Sequence, residues 1–89
     1  MKTPFDELRE REQARIDRIE AVCRDYETMR KECPTATPHA IMQCMAEGYE
    51  AANDELIKRG EHTRNPYVLM PTSRAGIAHI LKTNGYYKP

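Results

Sequence analysis

From Phe5 to Cys33 the chain contains neither glycine nor proline, and this uninterrupted stretch constrains the fold more than any other feature. Its apolar residues recur at helical spacing. Counted in heptads from Phe5, the a positions are Phe5, Glu12, Ile19, Tyr26 and Cys33, and the d positions are Leu8, Arg15, Val22 and Met29. Ile16 and Cys23 stand beside them at e. The result is an apolar stripe from residue 16 onward, interrupted before that by Glu12 and Arg15. Thr3 is suited to cap such a helix and Pro4 to begin it, and Asp6 and Glu7 suit the positive end of its dipole. One helix over about residues 4–33 is therefore predicted. Glu7–Arg11, Glu20–Arg24 and Glu27–Lys31 add i,i+4 pairs in the favourable order, each contributing ~0.2–0.5 kcal/mol to an isolated helix.

Pro34 ends this segment, and Thr37-Pro38 repeats the cap-and-start pattern of Thr3-Pro4. A second helix is expected over about 38–59, with Met42, Met45, Tyr49, Ala52 and Leu56 spaced 3, 4, 3 and 4 and flanked by Ile41 and Ile57. Lys58, Arg59 and Gly60 form a basic, glycine-terminated end. Gly48 either weakens this helix or marks a close helix crossing. Residues 60–72 read as a linker, whose apolar run from Tyr67 to Met70 suits a short strand or an extended packed segment. Thr72 or Ser73 then caps a third helix over about 73–84 carrying Ile77, Ile80 and Leu81, and Gly85 closes it before a tail at 85–89. The fold class expected is all-α in one small domain spanning 1–89. The long first helix pairs antiparallel with the second, and the short third helix closes one end.

Composition sets the size of the core. Only thirteen of the 89 residues are Val, Ile, Leu or Phe, about 15% against the ~20% that a self-sufficient domain usually exceeds. Such chains often need a further staple or a partner. The sequence reading therefore assigns the first helix's stripe, Phe5, Leu8, Ile16, Ile19, Val22, Tyr26 and Met29, to a larger protein partner or to a second copy in a homodimer. An antiparallel hairpin also leaves the first eight to ten residues of that helix projecting, with Phe5 and Leu8 among them.

Function classes narrow in the same way. No apolar run approaches the ~18 residues of a membrane span, and the N-terminus has no apolar segment resembling a secretory leader. A cytoplasmic location with reduced thiols is expected. Cys23, Cys33 and Cys44 are too far apart for a zinc knuckle, so they are expected as buried small side chains, with no metal and no cofactor. Ser73 is the only serine, and His79 lies on another face of the same helix, so no triad is expected and no enzymatic activity. Residues 61–89 carry Arg64, Arg74, Lys82 and Lys88 against Glu61 alone, with Tyr86 and Tyr87 among them. Cations interleaved with aromatics suit phosphate neutralisation and base stacking, which makes a nucleic-acid-binding regulator the alternative. A basic tail lying on the acidic second helix is the structural counterpart of the same charges. Residues 73–82 superficially suggest a recognition helix, but the linker before them is too long for a helix-turn-helix. The leading expectation is a non-enzymatic inhibitor or adaptor, of the kind a phage or mobile element carries.

Overall fold

A computed structural model describes residues 3–60, 67 and 69–87. It contains three helices: α1 (Pro4–Glu32), α2 (Pro38–Arg59) and α3 (Arg74–Thr83). No strand occurs among the described residues, so the all-α expectation holds.

Each helix starts where the side chains can satisfy its free amides. The Thr3 and Asp6 side chains each accept the other's backbone N–H at 3.2 Å, a reciprocal capping box ahead of Pro4. The Thr37 hydroxyl accepts from Ala40 N–H, and that of Ser73 from Gly76 N–H. Between the two candidate caps of α3, Ser73 is the residue used. Gly60 ends α2 in the left-handed region at φ 71°, where a β-carbon would be strained. At the end of α3, Gly85 N–H donates to the Lys82 carbonyl and Tyr86 N–H to that of Leu81, a Schellman turn that reverses the chain.

The core is one cluster fed by all three helices. Ala21, Val22, Cys23 and Tyr26 come from α1, Ile41, Met42, Met45, Ala46 and Tyr49 from α2, and Ile77 and Leu81 from α3. Met70 completes it from the segment before α3. Every one of the α1 members lies in the C-terminal half of a 29-residue helix. At ~1.5 Å per residue α1 is about 43 Å long, and the molecule measures 51 × 29 × 20 Å. The N-terminal half of α1 thus extends from the packed body as an arm.

The linker contains no strand among its described residues. Met70 is instead held by a side chain: Asn53 Nδ2 donates to its carbonyl at 2.9 Å, and its N–H donates to Asn53 Oδ1 at 3.3 Å. One amide side chain thereby supplies the two bonds that a neighbouring strand would supply. Asn53 is the only buried polar residue described, at 8% exposure, and the pairing satisfies it. Preceding it, Leu69 is exposed with φ 56°, and Tyr67 packs its ring 6.4 Å from that of Tyr49.

Candidate interaction surface

The residues predicted to meet a partner divide into two groups. Phe5 and Leu8 stand out in solvent at 77% and 64% exposure, and Ile16 is half-buried. Ile19 and Met29 are half-buried and packed on the core edge. Val22 and Tyr26, at 0% and 2% exposure, are sealed inside the molecule and offer nothing to another protein. The expectation that the whole stripe needs an outside cover is therefore corrected for Val22 and Tyr26. The third helix does more than close one end: α3 contacts both other helices and brings Ile77, Leu81 and the packed Ile80 into the cluster, and Tyr87 joins them from the segment after it. Tyr26 also lies under the Arg30 guanidinium, 5.9 Å from its ring centre.

The basic C-terminal third is placed differently from a stacking surface. Arg74 and Lys82 are exposed on α3, while Arg64 and Lys88 lie outside the described residues. Tyr87 is packed against the core. Tyr86 is exposed, but its phenol meets the Glu27 carboxylate, whose charge and hydrogen bond raise the phenol's pKa. The described part of the tail thus reaches α1 through Tyr86. Of the two tail tyrosines, Tyr87 is packed on the body, while Tyr86 keeps 40% exposure beside Glu27.

The cysteines also separate. Cys23 is buried, and burial, followed by the Glu27 charge, pushes its thiol pKa up. Cys33 and Cys44 are exposed, contrary to the expectation that all three are buried. Cys33 is the C-cap residue of α1, its N–H donating to the Met29 carbonyl. Cys44 lies on the flank of α2 and lines a groove of about 350 Å³ with Met29, Met45, Gly48, Tyr49 and Tyr67. A β-carbon at Gly48 would meet no atom within 4 Å, so this glycine marks open groove and not a helix crossing. Gly76 is the glycine at a close approach, since a β-carbon there would come within 3.0 Å of Pro71. Among the described residues no three His, Cys, Asp or Glu side chains come together as ligands of a metal ion would.

Sequence reasoning missed two polar contacts that organise the site. The Tyr49 hydroxyl donates to Asp25 Oδ2 at 2.8 Å between α2 and α1. Burial, then the bond to Asp25, drives the phenol's pKa far above its ordinary value. The other is the Asn53–Met70 pairing, for which the signal was a polar residue at the slot between Tyr49 and Leu56. Where α3 meets the root of the arm, a second groove of about 270 Å³ is lined by Arg15, Ile19, Pro71, His79 and Ile80, among others. The arm itself carries an Arg15–Glu12 ion pair of 2.6 Å between two exposed side chains. Comparison with protein-family models found no match, and comparisons with curated proteins and with solved structures found none that was significant.

Proposed function

We propose that this protein is a non-enzymatic interaction protein that acts by laying the N-terminal arm of α1 against another protein surface, as an inhibitor or adaptor of the cytoplasm. One observation carries the reading: Phe5 and Leu8 remain open on a capped helix whose stripe is taken into the chain's own core only from Ile19 onward. An isolated exposed apolar residue is ordinary, but two on one projecting helical turn keep an amphipathic face without a cover. The reading takes α1 and α2 as antiparallel arms of a hairpin, which fits Tyr49 meeting Asp25 while Met45 and Met29 line the same groove. α3 is then the brace that fixes the arm's direction.

Comparative capture from host extract tests this. Tagged wild type, Phe5→Asp, Leu8→Asp and an Arg74→Ala/Lys82→Ala variant are compared under equal conditions. The reading expects a protein partner lost with either arm variant and retained with the α3 variant. It is refuted if all four chains bring down the same proteins. A salt series on duplex DNA covers the alternative reading: affinity that falls with salt and disappears in Arg64→Ala, Arg74→Ala and Lys82→Ala would assign the surface to nucleic acid instead.

A further inference from the structure

The exposed face of the arm has an order that suits one occupant in particular. At 100° per residue, Phe5, Arg9, Glu12 and Ile16 fall within a sector of about 60° on α1. They continue, at spacings of 4, 3 and 4, the line on which Ile19, Cys23 and Tyr26 are covered by the body. The acids Asp6, Glu7, Glu10 and Asp17 lie away from this sector. Read along the helix, this sector runs apolar, cationic, anionic, apolar, with the exposed Leu8 at its edge about 40° from Glu12. Rotated by 180°, this sequence meets itself with apolar on apolar and cation on anion.

Resting on the reading of the arm as an interaction surface, we infer that its partner is a second copy of this chain. The two arms pair antiparallel about a two-fold axis between residues 10 and 11. Phe5 of each copy then faces Ile16 of the other, and Arg9 of each faces Glu12 of the other. Arg9 has no ion-pair partner among the described residues, so it meets the second copy without breaking a bond. Both Glu12 carboxylate oxygens accept from Arg15, Oε1 from Nη2 at 2.6 Å and Oε2 from Nε at 3.4 Å, and each keeps a further lone pair for the incoming guanidinium.

Charge fixes the register. Sliding the arms by three residues would place Leu8 on Ile16 and Phe5 on Ile19, a greasier match. The same shift sets Arg9 against Arg15 and Glu12 against its own copy, and like charges at contact oppose it. In the favoured register each arm tip reaches the root of the other arm. Side chains lean toward the N-terminus of their own helix, which in an antiparallel pair carries Phe5 toward Ile19 of the other copy and the mouth of the Ile19–Ile80 groove. The two bodies lie at opposite ends of an overlap of about 20 Å. So short an overlap falls in the weak class of interfaces.

Sedimentation over a concentration series up to about 1 mM, alone and in mixtures, tests the pairing. Wild type is expected to pass from monomer to dimer. Arg9→Glu and Glu12→Arg each place like charges at both contacts and should weaken association by roughly tenfold or more. Mixed one to one, these two variants restore both attractions, and a mixed dimer is expected to form at least as readily as wild type. Phe5→Asp is expected to give monomer, and unchanged helical circular dichroism in all variants confirms that the body is intact. A wild type that stays monomeric throughout overturns the inference, while the capture comparison above separately decides whether the arm serves a different protein. A dimer that survives the single charge reversals, or variants that fail to associate on mixing, overturns the arm pairing.

Discussion

Replacing Asn53 with alanine isolates the contact that anchors the segment leading into α3. The substitution removes two bonds, 2.9 Å to the Met70 carbonyl and 3.3 Å from its N–H, at a site where Met70 is buried. Each backbone group left without a partner costs about 1–3 kcal/mol, and partial entry of water lowers the sum, so the expected loss is ~2–4 kcal/mol. A chain of 89 residues has a total stability of roughly 4–13 kcal/mol at ~0.05–0.15 kcal/mol per residue. The variant therefore loses a large part of its stability. With a urea m-value near ~1 kcal/mol/M the unfolding midpoint should fall by about 2–4 M, or the transition should lose its native baseline altogether. Asn53→Asp sharpens the test. The introduced carboxylate still accepts from Met70 N–H but faces the Met70 carbonyl in a buried setting, so its folded-state pKa rises above the ordinary ~4. The penalty is then greatest above that raised pKa and diminishes as pH falls through it, because the protonated acid donates to the carbonyl. Asn53→Asp should accordingly be closer to wild type at pH 4 than at pH 7, once the wild type's own change is subtracted. A loss below ~0.5 kcal/mol for Asn53→Ala would refute the claim that this amide holds the segment.

Three further outcomes follow from the same geometry. Gly48→Ala should stabilise by ~0.5–1 kcal/mol in thermal unfolding, since a β-carbon there meets nothing and the helix loses a flexible residue; a lower melting temperature would contradict the open groove. Tyr49→Phe should cost about 1–2 kcal/mol at neutral pH through loss of the bond to Asp25. Because the Tyr49 phenol's pKa is raised in the folded state, its contribution is complete below the unfolded value of ~10 and is lost as pH rises beyond that. Wild type and variant should thus converge above pH 10 in alkaline unfolding curves. In thiol labelling of native protein, Cys33 and Cys44 should react promptly and Cys23 only on unfolding, and three equally fast thiols would show that the α1 seam is open.

The parts legible in the sequence were those decided locally. Thr3-Pro4, Thr37-Pro38 and Ser73 define helix starts through bonds three residues long, and Gly60 and Gly85 define ends through a backbone angle. The exposure of Phe5 and Leu8 followed from helix lengths alone. What remained hidden depended on residues distant in the chain. Val22 and Tyr26 were given to a partner because ten residues of α3, arriving fifty positions later, carry too few apolar side chains to announce how much of α1 they cover. Ala52 was placed on the buried stripe of α2, whereas the adjacent Asn53 occupies it, since its partner is a backbone group, and backbone leaves no mark in a pattern of side chains. Tyr86 was offered to a nucleic acid for want of any local sign that the Schellman turn at Gly85 sends its phenol to Glu27.

The grip of Asn53 on Met70 also separates two architectural jobs along one polypeptide. With α2 terminated at Gly60 and the chain held again at Tyr67 and Met70, the entry to the last helix is set by contacts made just ahead of it. Doubling the contour between those anchors costs only ~0.6 kcal/mol of closure entropy. An epitope or fluorophore spliced between Gly60 and Tyr67, ahead of the ring that packs on Tyr49, should leave both the helical body and the arm's reach as they were.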